Sequence, residues 1–554
     1  IETDVLVIGG GVAGCRAAIE ANQRRMRVTI LDKGLLGKSG CSPLASQISA
    51  VGPWASPEDS WEKHFEDTVR AGYYQSNQRL AEILCRYAPA RVMEVLEWGG
   101  LASLNPDGSA QCFQTEGHSL PRTLHFEGRI GQIIMKILKG EIIKRNITFC
   151  DETMATNLLA KTGKVVGATA LNLREGKFIL FDAKAVILAT GGASQVYPYT
   201  HTAIQDTGDG IAMAYRVGAE LIDMEHVSFI PASYWYPIAW RGVYAPAGYS
   251  VVSQALKGLP KPRWLNGRGE RFMVRYDSER MEATVKDIAG RAIFTEAEKC
   301  GSKHGGIYLD WRPLGEHLGE VRSFNLSTDH SLRLAERAGI DPKKELLEAH
   351  VMVHTTGGGV RISESCETNI QGLYAAGGTT GGVHGATRTG GSGLIWGLVF
   401  GWKAGVHAAE YAMKTKRIEI DSNDVESERD RLYDLLKRPV ENGIRPAQIM
   451  KRLREETWSN LNAARNKEGL EAALGSILEL SGVLPRIYVR SDTTVYNLEW
   501  VDAICLENML LAAEAIARAA LMRTESRGSH YRTDHPRMDN KNWLRNIVIR
   551  NDKG

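Results

Sequence analysis

The residues best suited to chemistry lie near the start of the chain, in a glycine cluster and an acidic residue that follows it. The cluster is Gly9-Gly10-Gly11-Val12-Ala13-Gly14, and the acid is Asp32. Gly9 allows a tight turn, Gly11 lets the backbone approach a pyrophosphate, and Gly14 lets a following helix pack closely. A carboxylate at Asp32 can accept hydrogen bonds from a ribose. The order of these residues predicts a dinucleotide site rather than a purely structural glycine turn.

Short apolar runs must position these groups. Residues 4–8 and 28–31 are too short for helices, and a helix-compatible stretch separates them, so together they predict one βαβ unit. Two more apolar runs, at 185–192 and 372–378, also end in glycines. Three such junctions suit a large cofactor lying across the carboxyl ends of one parallel sheet. The sheet must then come from both ends of the sequence, with the residues between Met224 and Leu347 inserted as a cap.

Composition limits the classes of partner and metal site. The chain has 554 residues, 43% of them hydrophobic, and 68 basic against 65 acidic residues give a net charge of +3. This balance does not favour nucleic acid or an anionic membrane as the main partner. The eight cysteines show neither CxxC pairs nor metal-ligand spacing. We therefore expect no metal site, no disulfide framework and a reducing, cytoplasmic location.

The rest of the chain predicts mostly packing elements. No stretch reaches the ~20 apolar residues of a membrane span, and no signal peptide is recognisable, although a removed leader stays possible. Residues 57–100 have helical spacing. From about Ile418 onward, helices are predicted at 425–436, 447–464, 469–480 and 498–521, closed by an exposed polar tail at 523–532.

Two polar loops have open interpretations. Residues 33–42 are rich in glycine and hydroxyl groups, so they could surround a phosphate or a flat ring, or they could form a flexible surface loop. Residues 117–125 place His118, Arg122 and His125 close together. This second loop predicts an anion site or a pair of surface histidines with equal weight.

Ordered motifs across nearly the whole chain resemble the flavoprotein subunits of succinate dehydrogenase and fumarate reductase, a family that includes L-aspartate oxidase and the adenylylsulfate reductase flavoprotein. The matching motifs are GGGVAG at 9–14, ATGG at 189–192, TGDG at 207–210, NGRGERFM at 266–273, HTTGGG at 354–359, LYAAGG at 373–378, GGVHGATRTGG at 381–391 and RTESRGSHYRTDHP at 523–536. The resemblance identifies the chain as a divergent member.

The resemblance implies an α/β fold in which an FAD-binding Rossmann-like domain is interrupted by an α+β capping domain and followed by a C-terminal helical domain. The corresponding boundaries are 1–224 and 349–415 for the FAD-binding domain, 225–348 for the cap and 416–554 for the helical domain. The expected FAD-binding residues are Gly9, Gly11, Ala13, Gly14, Asp32, Lys33, Lys38, Ser39, Gly40, Ala155, Ala189, Thr190, Gly191, Asp209, Gly377, Gly378, Gly393 and Leu394.

The chemistry that the resemblance implies is hydride transfer between flavin N5 and one carbon of a C=C or C–C bond next to a carboxylate. A cationic side chain exchanges the proton at the neighbouring carbon. His354 and Arg388 match the family's substrate-binding positions, and Lys286 aligns with its proton-delivering arginine. We therefore expect Lys286, His354 and Arg388 to be the catalytic residues.

Several positions depart from the family pattern. Ile230 takes the place of a substrate-binding histidine, and residues 257–262 replace an RGEG-like segment. Gly40 aligns with the histidine that attaches FAD covalently in some members, so we expect non-covalent FAD. Gly378 replaces a usual acidic residue. We therefore do not expect plain fumarate as the substrate. The changes favour a substrate that has fewer carboxylates or an added apolar or aromatic portion. Cap rings either stack on it or fill the cap core: Tyr234, Trp235, Tyr236, Trp240 and Tyr244.

The partner expected from the resemblance is an iron–sulfur electron-transfer subunit in a hetero-oligomer, which could bring the chain to a membrane surface without a span of its own. Three alternatives remain. The chain could be an adenylylsulfate-reductase-like flavoprotein in which N5 attacks sulfur, an FAD electron-transfer subunit without an organic substrate, or an L-aspartate oxidase that works alone with oxygen.

Overall fold

A computed structural model describes residues 1–127, 129–243, 245, 259–320 and 326–551, without the side chains of 232 and 326–328. Tyr244 and residues 257–258 of the altered cap segment therefore lie outside the described residues. The central sheet has seven strands in the order β6-β2-β1-β9-β8-β7, and β16 also pairs with β9. Its strands are β1 (Glu2–Ile8), β2 (Val28–Leu31), β6 (Thr148–Cys150), β7 (Thr153–Lys161), β8 (Lys164–Asn172), β9 (Lys177–Leu188) and β16 (Leu373–Ala375).

Strand β9 has two kinds of neighbour along its length. Its first half pairs antiparallel with β8, and its second half pairs parallel with β1 on one side and β16 on the other. Ile8 and Ala375 both lie opposite Leu188, so the three strands end at one edge of the sheet. The glycines that follow each strand meet there, as the sequence predicted, and residues from both ends of the chain build the sheet.

In the described part of the chain, ten further strands form three other sheets. One contains β3 (Gln47–Ser49), β4 (Cys112–Phe113) and β5 (Thr123–His125), and another contains β10 (Leu221–Ile222), β15 (Gly359–Val360) and β17 (Val548–Ile549). The third, which we call the cap sheet, is antiparallel in the order β11-β14-β13-β12. Its strands are β11 (Val227–Tyr236), β12 (Arg263–Leu265), β13 (Ile307–Asp310) and β14 (Leu347–Thr356).

Helices surround the sheets. Those of the described residues are α1 (Val12–Gln23), α2 (Trp61–Ala71), α3 (Gln78–Glu97), α4 (Ile130–Lys144), α5 (Asp209–Arg216), α6 (Lys286–Cys300), α7 (Leu326–Arg337), α8 (Ser392–Lys414), α9 (Ser422–Asp434), α10 (Pro446–Asn460), α11 (Lys467–Gly482), α12 (Leu498–Met522) and α13 (Asn540–Trp543). In the described part of the chain, no helix has both the length and the apolar composition needed to cross a membrane.

Helices α1 and α8 pack unusually closely through glycines. A Cβ atom built on Gly397 would lie 2.3 Å from a side-chain atom of Val12, and one on Gly401 would lie 2.4 Å from the backbone oxygen of Ala13. Gly405 makes the same kind of contact with Ala17. Since Gly397, Gly401 and Gly405 meet α1 in increasing sequence order, the two helices run parallel and both begin at the same edge of the sheet.

The aromatic rings of the cap pack against one another and against the helical domain. Trp235 lies over Trp458 at 6.3 Å between ring centroids, and Tyr236 stacks on His304 at 3.8 Å. Tyr234 is fully buried, donates to the backbone oxygen of Ser331 at 2.8 Å, and contacts Trp240. Tyr234, Trp235 and Trp240 therefore support the second interpretation, in which the rings fill the cap core and its interface, whereas Tyr236 is 40% exposed.

The predicted helices of the C-terminal segment correspond to α9 to α12, but the predicted exposed tail at 523–532 is wrong. Arg523, Glu525 and Arg527 are almost completely buried. Arg523 donates to Glu225 Oε1 at 2.7 Å and to Glu525 Oε1 at 2.9 Å, and Arg527 donates to the same oxygen of Glu525 at 2.7 Å. A charged run is buried here because distant carboxylates pair with its arginines.

Candidate active site

A cavity of about 1000 Å³ opens at the edge of the sheet where β1, β9 and β16 end. Its volume is at the upper end of the ~300–1000 Å³ typical of ligand pockets. Most residues expected to bind FAD line its wall: Gly9, Gly11, Ala13, Asp32, Lys33, Ser39, Gly40, Ala155, Ala189, Thr190, Gly191, Asp209, Gly377, Gly378, Gly393 and Leu394. Gly14 and Lys38 are not part of the wall, and the Lys38 side chain is exposed.

The glycines of the first turn leave room that a side chain would occupy. Gly9 has φ +113°, and a Cβ there would lie 2.2 Å from the Ala189 backbone oxygen. A Cβ on Gly14 would lie 1.8 Å from the Gly9 backbone oxygen. Gly14 therefore acts one step away from the cavity, because it lets α1 pack against the turn. A large cofactor can approach the backbone here without meeting side chains.

Two helices present their N-termini to the cavity. Gly11 precedes α1, Gly391 precedes α8, and Gly393 lies in the first turn of α8. All three glycines line the cavity wall. The first backbone N–H groups of a helix lack intrahelical partners and carry partial positive charge. This arrangement suits the phosphates of a dinucleotide. The wall of the cavity therefore fits FAD in shape and in charge.

Asp32 and Lys33 differ in the groups that compensate their charges. The Asp32 carboxylate accepts the Gly34 N–H at 2.8 Å, and burial raises its pKa. Lys33 Nζ lies 2.9 Å from Asp209 Oδ2 and 2.9 Å from Thr207 Oγ1. Burial disfavours the Lys33 ammonium, but the negative charge of Asp209 outweighs this and raises its pKa. The Lys33–Asp209 pair therefore fixes the wall rather than supplying an unpaired charge.

Lys286, His354 and Arg388 meet in the wall of the same cavity, although they come from three different elements. Lys286 begins α6, His354 lies in β14, and Arg388 lies between β16 and α8. Lys286 Nζ donates to the backbone oxygen of Arg388. Arg388 Nη2 lies 2.7 Å from His354 Nε2, and Nη1 donates to the Thr389 oxygen at 3.0 Å. The fold thus brings the three expected catalytic residues into one cationic cluster.

The cluster sets the protonation of its members. Burial lowers the pKa of Lys286, and the positive charge of Arg388 adds to this while Glu116 opposes it. Burial also holds the pKa of His354 well below its usual range, helped by His201 and Arg388. His354 is therefore neutral at physiological pH. Lys286 is a buried ammonium that gives up its proton more readily than an exposed lysine does.

Carboxyl groups lie beside Lys286. Glu116 Oε1 accepts the Lys286 backbone N–H at 2.7 Å and lines the cavity. Asp287 accepts a hydrogen bond from Thr387 Oγ1 at 2.5 Å, and burial raises its pKa to about 6. The two acids balance the positive charge of Lys286 and Arg388.

The cap contributes an apolar side to the cavity. Ile230, Pro231 and Val243 line it, so the replacement of a histidine by Ile230 falls on the wall itself. Helix α7 adds His330 and Arg333, and Arg333 Nε lies 2.7 Å from Asp329 Oδ2. The cavity is therefore polar and cationic around Arg388 and apolar around Ile230.

The loop at 117–125 matches neither of its two interpretations. Arg122 is fully buried and pairs with Asp59 at 2.7 Å and with Asp67 at 2.6 Å. His118 is also buried and contacts Arg122 through Nδ1 at 2.9 Å. Two carboxylates from distant segments already neutralise the arginine. The loop is a packed structural element, neither an anion site nor a surface pair of histidines.

Two cavity residues carried no signal in the sequence. Glu116 immediately precedes the polar loop at 117–125, but only the fold brings it to Lys286. His201 lines the cavity, and its Nε2 lies 2.5 Å from His354 Nδ1. A histidine between two threonines has no motif of its own. A search for histidines near the predicted strand-to-glycine junctions would have included His201.

Fold and cavity together define a flavin-type oxidoreductase with a cationic cluster in the wall of its cavity. A family model described as an FAD binding domain matches residues 4–394, and one described as the fumarate reductase flavoprotein C-terminus matches residues 450–554. The chain is 40% identical over 550 residues to a subunit of the fumarate reductase (CoM/CoB) of Methanothermobacter marburgensis, covering 99% of this chain and 97% of that relative.

Solved structures of other proteins are similar to this chain over nearly its whole length. Sdh1 of Mycobacterium smegmatis in complex with UQ1 matches with a TM-score of 0.89 and 32% identity over 99% of this chain and 94% of that one. Adenylylsulfate reductase of Archaeoglobus fulgidus shares the fold, with a TM-score of 0.80 and 22% identity over 99% and 93%. The chain therefore belongs to the fumarate reductase and succinate dehydrogenase flavoprotein family, and FAD is its cofactor.

Proposed function

We propose that the chain transfers a hydride between N5 of FAD and the C=C bond of a carboxylate substrate of the fumarate type, and that it exchanges electrons with an iron–sulfur subunit. The observation that carries this proposal is the convergence of Lys286, His354 and Arg388 in the wall of the FAD cavity. An activated C=C bond needs cations at its carboxylate and a proton donor at the adjacent carbon.

Each residue has a definite task in this proposal. Arg388 offers a guanidinium fork that matches a carboxylate, and His354 borders the same position. Reduced FAD, when bound, would supply the hydride for one alkene carbon, and the iron–sulfur subunit would provide the electrons that reduce it. Lys286 gives its proton to the other carbon, so that one hydride and one proton convert the C=C bond to C–C. Burial supports this role because it lowers the pKa of Lys286.

The comparisons support the substrate type and the partner. The Methanothermobacter relative is named a fumarate reductase and a subunit, which supports a fumarate-type substrate and an assembly with other chains. The expected iron–sulfur partner and the hetero-oligomer remain part of this proposal. The likeness to adenylylsulfate reductase is one of fold alone at 22% identity, so it does not favour sulfur chemistry.

An anaerobic stopped-flow experiment tests the proposal. The purified holoprotein is reduced with dithionite and mixed with fumarate and then with larger enoates, while the oxidised flavin band is followed. We expect its return with at least one enoate. Arg388→Met should slow it at least 100-fold, because a charged contact to the substrate is lost. The exposed Arg268→Met is the matched control and should be unchanged.

Other outcomes would favour the alternatives. A return of the band with adenylyl sulfate but with no enoate would favour the sulfur chemistry. Prompt reoxidation by oxygen with peroxide release would favour an L-aspartate oxidase. If the oxidised flavin band returns with none of the substrates, and electron exchange with an iron–sulfur protein is normal, an electron-transfer subunit would be favoured.

A further inference from the structure

His201 lies next to His354 in the wall of the cavity, and the proposed function gives its imidazole no role. It lines the cavity and forms a T-shaped pair with His354, with 4.5 Å between ring centroids. Ile230 faces the same cavity at the position where the family resemblance calls for a histidine. The wall has thus lost one imidazole from the cap sheet and carries another on a different element.

The loop that carries His201 is fastened to the strand that carries His354. The Val353 N–H donates to the Tyr199 oxygen at 2.9 Å, and Thr200 Oγ1 donates to the Val353 oxygen at 3.0 Å. The bonded residues come immediately before His201 and His354 in the chain. The two rings are therefore held in a fixed relation, as preorganised binding requires.

The hydrogen bonds determine which nitrogen of each ring carries a proton. Arg388 can only donate, so His354 Nε2 accepts at 2.7 Å. A neutral His354 must then be protonated on Nδ1, and it donates to His201 Nε2 at 2.5 Å. Burial lowers the pKa of His201 to about 4, so His201 is neutral too and carries its proton on Nδ1. No described residue accepts a hydrogen bond from that N–H.

We infer that His201 binds substrate through its Nδ1–H and replaces the imidazole missing at Ile230, so that the site accepts a four-carbon dicarboxylate, fumarate included. One carboxylate would be held by Arg388 and the second by His201. The inference rests on the proposed function and narrows its substrate class. It also removes one reason for expecting a substrate other than plain fumarate, because His201 supplies the imidazole that is missing at Ile230.

Two substitutions separate substrate binding from mere support of His354. His201→Gln keeps an acceptor near the Nε2 position, so His354 stays oriented, but removes the Nδ1–H donor. His201→Asn keeps a donor near Nδ1 and removes the acceptor. We expect His201→Gln to raise the KM for fumarate about 10- to 100-fold, as loss of a hydrogen bond to a charged group does. His201→Asn should raise it less than about 5-fold.

The matched substrate is crotonate, which has the same carbon skeleton and one carboxylate. The His201→Gln variant should change its KM little. Ile230→His added to His201→Gln should restore binding of fumarate. His317→Gln, an exposed cap histidine, is the control variant and should behave like the native protein. Equal losses for fumarate and crotonate, or a loss in His201→Asn alone, would overturn the inference and make His201 a positioning residue.

A titration without turnover keeps this test independent of the proposed function. Malonate, an unreactive dicarboxylate, is added to the oxidised holoprotein, and the change in the flavin spectrum gives its Kd. We expect a 10- to 100-fold weaker Kd in His201→Gln and a nearly unchanged one in His201→Asn. If the native protein does not bind malonate, or if His201→Gln binds it equally well, the inference is wrong, whatever enoate the enzyme reduces. If malonate binds as expected but no enoate reacts, the proposed function fails, whereas the assignment of dicarboxylate binding to His201 stands.

Discussion

Replacing Lys286 with methionine separates its proposed proton transfer from its packing. The Lys286 side chain is 3% exposed, and its Nζ makes a hydrogen bond to the Arg388 backbone oxygen. Methionine has a similar length and keeps the apolar part of the side chain. The variant loses one hydrogen bond, worth about 1 kcal/mol, and no longer buries an ammonium. These effects oppose each other, so the fold and its FAD should be retained.

The loss in catalysis should be much larger than the change in stability. A positioned general acid contributes about 10²- to 10⁴-fold to the rate, which is roughly 3–5 kcal/mol of barrier. Lys286→Met should therefore slow the oxidation of reduced flavin by fumarate by that factor in anaerobic stopped flow. Reduction by dithionite needs no proton from Lys286 and should be unchanged. Lys299→Met, an exposed lysine on the same helix, is the control.

The pH profile gives a second signature. Lys286 must be protonated to act, so the rate should be high at low pH and fall as pH rises through its pKa. Burial lowers that pKa from 10.5, so the fall should begin below 10.5. Lys286→Arg should move the fall out of the accessible range, because arginine stays protonated up to a pH of about 12. A native rate in Lys286→Met, or the same alkaline fall in Lys286→Arg, would refute the reasoning.

Three further predictions concern the cofactor and stability. Gly14→Ala should reduce the amount of bound flavin and lower the free energy of unfolding by about 1–3 kcal/mol, because its Cβ would lie 1.8 Å from the Gly9 oxygen. A Cβ on Gly140 would have nothing within 4 Å, so Gly140→Ala should raise the free energy of unfolding by ~1 kcal/mol. Flavin absorbance and Tm measure the effect of each variant. Asp287 has a pKa raised from 3.8 to about 6, so its contribution to stability is present below pH 3.8 and lost as pH rises through about 6. Asp287→Asn should remove this loss, and identical denaturation curves of both proteins across that range would contradict it. Acid precipitation should release all FAD into the supernatant, because Gly40 offers no side chain for a covalent bond; a yellow pellet would show the opposite.

Much of the fold followed from local patterns. The strand-to-glycine junctions at Gly9, Gly191 and Gly377 are backbone requirements, and such requirements are visible in a single sequence. Amphipathic spacing located the helices of the C-terminal segment to within a few residues. The domain boundaries and the roles of the site residues stay predictions. They came from resemblance, because residues such as Lys286 and Arg388 have no local pattern of their own.

The errors share one physical cause. Arg122 and Arg523 are charged residues in polar stretches, which local reasoning places at the surface. Both are buried because carboxylates far away in the sequence pair with them, Asp59 and Asp67 in one case and Glu225 in the other. His201 was missed for the same reason, since its importance depends on a strand more than 100 residues further along the chain.

The position of β16 beside β9 has a consequence for folding during synthesis. The first strand, the first glycine turn and β9 emerge from the ribosome long before β16 and α8 have been synthesised. Until then β9 lacks one parallel neighbour, and α1 lacks the helix on which it packs through Gly397 and Gly401. Pairing segments so distant in sequence is slow and leaves strand edges exposed meanwhile. The wall of the FAD cavity is therefore complete only after the chain has been synthesised as far as Gly397, and we expect FAD to be loaded late in the maturation of the protein.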